Sequence, residues 1–144
     1  MHKPNVAFIC VHNSCRSQMA EAIAKVLAPG VFNAFSAGTE AAERINPDAV
    51  QVIKELYRVD MDQTQKPKPL QSLPPIDILV TMGCNVHCPD FPAKYREDWE
   101  LEDPTGKPKA EFIKTAKLIE GKVKDLMARV QEGSFIKCEG FKSS

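Results

Sequence analysis

The chain has 144 residues, of which 43% are hydrophobic, and this length and composition suit one domain with one core. Nineteen basic and nineteen acidic residues give a formal net charge of zero, so no strong overall field attracts nucleic acid or an anionic membrane. We therefore predict a single domain over residues 1–144 that works as a monomer, with residues 133–144 only loosely ordered.

No apolar run approaches the roughly 20 residues of a membrane span, and the first residues, Met-His-Lys-Pro-Asn, lack the apolar core of a secretory signal. Five cysteines, an odd number, argue against a structural disulfide framework and in favour of reduced thiols. We therefore expect a cytoplasmic protein whose cysteines serve reactivity or packing.

Hydrophobic patterns predict buried strands at residues 6–11, 31–37 and 76–81. Amphipathic helices are predicted from Ser17, from Pro47 and from about Pro108 to Gln131, and Asn46 is a typical cap for the second. The four prolines of residues 60–75 predict a loop with little regular structure. The predicted apolar stripe of the first helix consists of Met19, Ala22, Ile23, Val26 and Leu27.

Strands that alternate with helices predict an α/β fold with a parallel sheet and helices on both faces. Ligands of such sheets bind beyond the carboxyl ends of the strands. The first strand ends close to Cys10, and the irregular residues 82–92 follow the carboxyl end of the third strand. We therefore predict the functional site at this edge.

The stretch Cys10-x5-Arg16-Ser17 lies between the first strand and the first helix. A loop of this length can direct its backbone N–H groups to one point at the helix N-terminus, where the helix dipole also stabilises an anion. The same field favours a thiolate, so we predict that Cys10 is a nucleophile. The Arg16 guanidinium matches a tetrahedral oxyanion, Asn13 suits a left-handed backbone, and Ser17 is expected to donate to Cys10 or to cap the helix. The predicted oxyanion-binding residues are Val11, His12, Asn13, Ser14, Cys15, Arg16 and Ser17.

Cys84 and Cys88 stand four positions apart, with His87 between them, in a segment that also contains glycine, asparagine and proline. On one helical turn the two thiols approach disulfide distance, a Cα separation of roughly 4.4 to 6.8 Å. Two other interpretations stay open. One is a zinc site, whose fourth ligand would be a distant residue such as His12 or Cys10, and the other is a pair of packing cysteines. The loop-forming composition favours chemistry.

Asp103-Pro104-Thr105 directly precedes the last predicted helix. The proline forces an extended backbone on Asp103, and a carboxyl group over the anion site can donate a proton to a leaving oxygen. From the residues alone, a turn or capping aspartate is the more ordinary interpretation. A buried packing cysteine is likewise the ordinary interpretation of Cys10 taken alone.

Taken together, the sequence Cys-Val-His-Asn-Ser-Cys-Arg-Ser at residues 10–17, the preceding strand, the later cysteine pair and Asp103-Pro104 resemble the thioredoxin-coupled arsenate reductases. That family shares its fold with the low-molecular-weight protein tyrosine phosphatases. The resemblance runs from Lys3 to about Val130 and includes Phe35-Ser36-Ala37-Gly38-Thr39. It implies a three-layer domain with a four-stranded parallel sheet and helices on both faces.

The resemblance also implies a mechanism. Cys10 attacks arsenate while Arg16 and the loop amides hold its oxygens, and Asp103 protonates the departing hydroxide. Cys84 then attacks Cys10, which releases arsenite, and Cys88 takes over the disulfide by attacking Cys84. Thioredoxin, supplied with electrons from NADPH by its reductase, regenerates the thiols, so no bound cofactor and no metal is implied.

Two departures from the family bear on function. The later cysteines are closer together than is usual, so Cys138 is a second candidate for the resolving thiol. Thr105 replaces the tyrosine that the phosphatases place after Asp-Pro, which weighs against phosphotyrosine as the substrate. A phosphatase acting on phosphate monoesters remains the first alternative function. A non-enzymatic thiol redox sensor or metalloid-binding module is the second, and in it Cys10 only packs.

A third departure concerns a cation. Some relatives bind potassium near the catalytic loop through an acidic residue after a threonine, where this chain has Thr64-Gln65-Lys66. We therefore expect the Lys66 ammonium, instead of potassium, to order Asn13, Glu21 and Ser36.

Overall fold

The computed structural model describes residues 3–83 and 91–133, and its centre is a sheet of four parallel strands in the order β2-β1-β3-β4. The strands are β1 (Asn5–Cys10), β2 (Asn33–Gly38), β3 (Ile76–Thr81) and β4 (Ala93–Asp98). The helices are α1 (Arg16–Leu27), α2 (Pro47–Tyr57), the one-turn α3 (Met61–Thr64), α4 (Lys109–Glu132) and a 3-10 helix at Leu70–Ser72. The predicted α/β fold with a four-stranded parallel sheet is confirmed.

Parallel pairing brings the carboxyl ends of the strands together at one edge of the sheet. Cys10 is aligned with Gly38 of β2, Ile9 with Thr81 of β3, and Thr81 with Asp98 of β4. Thr81 Oγ1 also donates to Asp98 Oδ1 at 2.9 Å. The loops that follow these strands therefore start side by side, in the arrangement that open parallel sheets use for ligand binding.

Two hydrophobic clusters involve opposite faces of the sheet. α1 packs on β1 and β2, and both α2 and α4 pack on α1. Because side chains alternate along a strand, Phe8 joins this larger cluster, whereas Ile9 joins the smaller one. The smaller cluster is covered by the 3-10 helix and by Phe91.

β4 is a strand that the hydrophobic pattern did not indicate. Its exposed side chains are all charged: Lys94, Arg96 and Asp98. An edge strand needs only one half-buried face, and charges on its other face discourage pairing with other chains. β2 also begins later than predicted, because the amides of Val31 and Phe32 continue the turn after α1 by donating to Ala28 O.

The helices match the prediction in position and differ in detail. Val26, expected in the buried stripe of α1, is 42% exposed, whereas all residues from Arg16 to Ala24 are buried. The first turns of α1 are enclosed because the sheet, α2 and α4 all pack around this helix. Residues 60–75 contain α3, whose start is capped by the Asp60 side chain, and the 3-10 helix. Asn46 caps α2 as predicted. No helix in the described part of the chain is long and apolar enough to cross a membrane.

Candidate active site

Residues 11–15, the anion loop, connect β1 to α1 at the carboxyl edge of the sheet. Four amides of the segment after β2, residues 39–46, donate to carbonyls of this stretch at 2.7 to 3.3 Å. The pairs are Thr39 to Cys10, Glu40 to Val11, Ala42 to His12 and Asn46 to Ser14. Because C=O and N–H point in opposite directions across a trans peptide, the amides that follow these carbonyls point away from residues 39–46. Several donors therefore gather at the N-terminus of α1, where an anion is favoured.

Gly38 allows the end of β2 to approach the anion loop closely. A Cβ atom at this position would lie 2.6 Å from the Val11 carbonyl oxygen and 2.9 Å from the Asn13 amide nitrogen. Asn13 has a φ of 52°, the left-handed conformation predicted for it. A side chain at position 38 would therefore displace the peptide groups that define the loop.

Cys10 ends β1 and is 5% exposed. Its Sγ lies 2.9 Å from Ser17 Oγ, and Asn13 Nδ2 donates to the same hydroxyl oxygen at 2.8 Å. Because a thiolate can only accept, the Ser17 hydroxyl is the donor in this contact when Cys10 is ionised. A hydrogen bond in this direction stabilises a negatively charged sulfur. Of the two roles predicted for Ser17, the structure has the contact with Cys10, and the first turn of α1 has no side-chain cap.

Two buried glutamines, Gln18 and Gln65, form a hydrogen-bond network with the Asn13 side chain. Asn13 Oδ1 accepts from Gln18 Nε2 at 2.9 Å and from Lys68 N at 2.8 Å. Gln65 Nε2 in turn donates to Gln18 Oε1 at 2.6 Å. Together these contacts fix the orientation of the Asn13 amide. Sequence reasoning missed both glutamines, because a glutamine has no local signal that distinguishes a buried network from a solvated surface.

The carboxylate of Glu21 is buried in α1 and is neutralised by side chains of the protein. Ser36 Oγ donates to Glu21 Oε1 at 2.6 Å, Lys25 pairs with Oε2, and Lys68 Nζ lies 3.6 Å from Oε1. Glu21 therefore has two ammonium groups beside it, in addition to one hydroxyl donor.

The prediction that Lys66 supplies this charge is wrong, because Lys68 supplies it. Lys68 is docked on the site by its backbone: its N–H donates to Asn13 and its carbonyl accepts from Gly38 N at 2.8 Å. Lys66 is exposed and contributes only its carbonyl, to Gln18 and to Lys68. With Glu21 paired and Asn13 Oδ1 accepting two hydrogen bonds, these residues do not fit a potassium ion.

Arg16, which is 7% exposed, links three segments of the chain. Its Nη1 donates to Met82 O at 2.7 Å, after β3, and to Leu101 O at 2.8 Å, after β4. Its Nη2 lies 3.9 Å from Asp103 Oδ2. Neither hydrogen bond uses Nε or Nη2, so within the described part of the chain these two nitrogens remain available to donate to a ligand. The sequence indicated Arg16 as an anion ligand and gave no signal for the two carbonyls, which are distant along the chain.

Asp103 lies in residues 99–105, the acid loop, and its side chain is 51% exposed. Thr105 N and Oγ1 both donate to Asp103 Oδ1, at 3.0 and 2.7 Å. Partial burial raises the pKa of Asp103, but the Thr105 hydrogen bonds and the charges of Arg16 and His12 outweigh it, and the net pKa lies below its usual value. The carboxyl group is therefore ionised at neutral pH.

Two further side chains of the anion loop, His12 and Cys15, differ in their exposure to solvent. His12 is exposed, and its Nδ1 lies 3.1 Å from Glu40 O, so Nδ1 carries the proton because a carbonyl only accepts. Burial, together with the nearby charges of Asp103 and Cys10, raises the pKa of Cys15 to about 12 against the effect of Arg16. Cys15 therefore stays a neutral thiol.

The structure brings Cys10, Arg16 and Asp103 around the anion loop, and this arrangement can bind a tetrahedral oxyanion beside a thiol and a carboxylate. The other predicted site residues, Cys84, Cys88, His87 and Cys138, lie outside the described residues. Within residues 3–83 and 91–133, no group of three His, Cys, Asp or Glu side chains is placed to hold a metal ion.

Comparison with known proteins gives relatives that span nearly the whole chain. The chain is 34% identical over 128 residues to the glutaredoxin arsenate reductase of Synechocystis sp., a match that covers 87% of this chain and 97% of that protein. Among solved structures, an arsenate reductase in the phosphate binding state superposes with a TM-score of 0.79 at 32% identity, covering 88% of this chain and 98% of that one.

A thioredoxin-dependent arsenate reductase of Corynebacterium glutamicum superposes with a TM-score of 0.70 at 34% identity, covering 91% of this chain and 63% of that one. The family model for low molecular weight phosphotyrosine protein phosphatase matches residues 5–134. That match includes the anion loop, the acid loop and every strand and helix of the described structure. The chain therefore belongs to the low molecular weight phosphotyrosine protein phosphatase family.

Proposed function

We propose that this protein reduces arsenate to arsenite, with Cys10 as the nucleophile, Cys84 and Cys88 as a thiol relay, and thioredoxin as the electron donor. The observation that carries the proposal is the position of Cys10 Sγ, 2.9 Å from the Ser17 hydroxyl and at the edge of a cradle of amides and Arg16. The relatives named as arsenate reductases support arsenate as the oxyanion.

In the first step, the Cys10 sulfur attacks arsenic and a hydroxide leaves as water. The inward-facing amides of the anion loop and the unused donors of Arg16 hold the remaining oxygens and the charge that develops on them. The leaving oxygen takes a proton from Asp103, which accepts one beforehand from the thiol or the arsenate as substrate binds. The net products are a Cys10 thioarsenate ester and water, and Asp103 returns to its ionised form.

In the second step, the Cys84 thiolate attacks the Cys10 sulfur, and the electron pair of the sulfur–arsenic bond passes to arsenic. Arsenic is reduced by two electrons and leaves as arsenite, while Cys10 and Cys84 form a disulfide. Cys88 then attacks Cys84, which frees Cys10 and leaves a Cys84–Cys88 disulfide. Thioredoxin reduces that disulfide with its own dithiol, which NADPH renews through thioredoxin reductase.

Cysteine variants test this sequence of steps. Cys10→Ser, Cys84→Ser, Cys88→Ser and Cys138→Ser are incubated with arsenate, thioredoxin, thioredoxin reductase and NADPH, and NADPH loss is followed. We expect the first three to lose turnover, by about 10³-fold or more for Cys10→Ser, and Cys138→Ser to keep it. A Cys84→Ser variant that reduces arsenate normally would exclude the relay. Loss in Cys138→Ser with full activity in Cys88→Ser would reassign the resolving thiol.

A parallel assay identifies the electron donor. Replacing thioredoxin and its reductase by glutaredoxin, glutathione and glutathione reductase should give little turnover. If NADPH is lost faster with glutaredoxin than with thioredoxin, glutaredoxin is the electron donor, as the name of the Synechocystis relative states for that protein. Mass mapping of Cys88→Ser after a single turnover should find Cys10 bonded to Cys84.

Phosphate ester hydrolysis is the second candidate function. The geometry that favours it is the anion loop itself, because a cradle of amides with one arginine fits phosphate as well as arsenate. Hydrolysis of 4-nitrophenyl phosphate should need Cys10 and be independent of Cys84. A chain that hydrolyses the ester efficiently and reduces no arsenate would be a phosphatase.

A further inference from the structure

Thr105 makes two hydrogen bonds to the side chain of Asp103. Its backbone N–H and its hydroxyl both donate to one oxygen of Asp103, Oδ1, at 3.0 and 2.7 Å. With Oδ1 held twice, the other oxygen, Oδ2, faces the Arg16 guanidinium at 3.9 Å. The two oxygens of this carboxylate therefore have different surroundings, one bound to the acid loop and one turned toward the anion loop.

Cys15 of the anion loop lies near this carboxyl group. It is 3% exposed, and burial, together with the charge of Asp103, raises its pKa to about 12. Cys15 is therefore a neutral thiol and adds no charge beside Asp103. Among the described residues, Thr105 holds one oxygen of Asp103 and Arg16 faces the other.

We propose that Thr105 is a positioning residue, which binds Oδ1 of Asp103 and so holds Oδ2 directed at the bound oxyanion. This inference rests on the proposed function only in giving Asp103 the role of proton donor. The proton that Asp103 Oδ2 receives during substrate binding is returned from the same atom to the leaving oxygen, so the carboxylate is regenerated and no further reactant is needed. Thr105 thus supports the carboxyl group of Asp103 from within the protein.

The charges around Asp103 favour its ionised form in the resting protein. The positively charged groups near Asp103 are Arg16 and His12. Cys15, and Cys10 at the start of the anion loop, are the nearby thiols. Partial burial raises the pKa of Asp103, whereas the hydrogen bonds from Thr105 and the charges of Arg16 and His12 lower it further than burial raises it. Removing the Thr105 hydroxyl removes one of these contributions and leaves Arg16 in place.

The first test compares substrates whose leaving groups need a proton with one whose leaving group does not. A loss of activity confined to the first kind indicates impaired proton donation, whereas a structural defect would affect both kinds. Thr105→Val removes the hydroxyl with little change of shape, and Thr105→Ser keeps it. For Thr105→Val we expect kcat/KM to fall about tenfold with arsenate and with phenyl phosphate, whose leaving groups need a proton. With 4-nitrophenyl phosphate, whose leaving group needs none, the change should stay within about twofold. Thr105→Ser should restore most of the loss.

The same substitution in an Asp103→Asn background provides the control. If Thr105 acts through Asp103, adding Thr105→Val to Asp103→Asn should cause no further loss. An equal loss on all three substrates, or the full loss repeated in the Asp103→Asn background, would overturn the proposal. If the esters behave as expected and arsenate is not reduced, the arsenate function fails and the role of Thr105 stands.

A second measurement does not depend on turnover. The carboxyl carbon of Asp103, labelled with 13C, is titrated by NMR in the parent protein, Thr105→Val and Thr105→Ser. The midpoint should move to higher pH in Thr105→Val and stay near the parent value in Thr105→Ser. An unchanged midpoint in Thr105→Val would show that the hydroxyl does not hold the carboxylate, whatever reaction the protein catalyses.

Discussion

Ser17 has no exposed surface, and its hydroxyl contacts Asn13 and Cys10. Asn13 Nδ2 donates to its oxygen at 2.8 Å, and the Cys10 sulfur lies 2.9 Å away. At the scale of the residue, Ser17 is therefore placed to donate to the sulfur once Cys10 is ionised, because a thiolate can only accept. Because the glutamines behind Asn13 hold its amide, this placement is set before any substrate binds.

Replacing Ser17 by alanine removes the donor and leaves the rest of the loop. The Cys10 thiolate is then less stable, and alkylation by iodoacetamide at pH 7 should slow about fivefold to tenfold. The rate is measured by mass spectrometry under conditions that label Cys10. Ser14→Ala is the matched control, since among residues 3–83 and 91–133 the Ser14 side chain has no hydrogen-bond partner and its carbonyl accepts from Asn46 N. Equal alkylation rates in both variants would show that Ser17 does not act on the sulfur.

The contacts that could be predicted at this scale are local ones. Asn13, Arg16 and Ser17 all lie within seven residues of Cys10, so the length of the loop and the start of the helix bring them together. Lys68 and Met82 reach the same loop from distant positions in sequence. Only the sheet order brings these residues close, and a sequence pattern does not contain the register of one strand against another.

At the scale of elements, α4 is joined to the edge strand by a charged cluster. Arg129 donates to both carboxylate oxygens of Glu97 at 2.8 and 2.9 Å, and Trp99 Nε1 donates to Glu97 at 2.7 Å. Burial raises the pKa of Glu97, but the hydrogen bonds from Arg129 and Trp99 outweigh it and the net pKa is lowered. The Trp99 ring also contacts Phe8 of β1, at a centroid distance of 5.4 Å. This cluster therefore fixes the start of the acid loop.

Glu97→Gln should lower the free energy of unfolding by about 1–3 kcal/mol at pH 7. Since the folded-state pKa is below the usual 4.5, the stabilisation by the carboxylate is complete above pH 4.5 and is lost as the pH falls through the folded value. The difference between the two proteins in urea unfolding should therefore shrink below pH 4.5. Glu43→Gln, an exposed control, should change little at either pH. A difference for Glu97→Gln that is the same at pH 3.5 and pH 7 would contradict the assignment.

The predictable elements were those with continuous hydrophobic patterns. The sequence indicates two strands, β1 and β3, because each is a continuous run of buried apolar residues. It indicates three helices, α1, α2 and α4, because each has an amphipathic pattern. β4 was missed because its half-buried face includes Glu97, whose charge is paired with Arg129 of α4. A carboxylate that is paired across elements looks like a solvated one in the sequence.

At the scale of the whole molecule, the basic and acidic side chains give a formal net charge of zero. Some of these opposite charges are also paired with each other within the fold. Glu21 is the most enclosed of the paired carboxylates described here, between Lys25 and Lys68. The protein carries the balancing charge for this carboxylate in its own sequence, so no dissolved cation is required at that position.

Potassium titration tests this arrangement. In chloride salts at constant ionic strength, exchange of sodium for potassium should leave the Tm and the arsenate turnover unchanged. Lys68→Met should lower the free energy of unfolding by about 1 kcal/mol, and Lys66→Met, the control two residues away, should change it little. A saturable response of the parent protein that is selective for potassium would show that the site binds the ion.

The hydrogen bonds of Arg16 to Met82 and Leu101 attach the start of α1 to the segments that follow β3 and β4. Met82 is secured by Arg16 before the cysteine segment begins, and the Phe91 carbonyl is secured after it by Arg96. Neither of these two hydrogen bonds involves a cysteine. We therefore expect substitution of Cys84 or Cys88 to leave Arg16 and the anion loop in place.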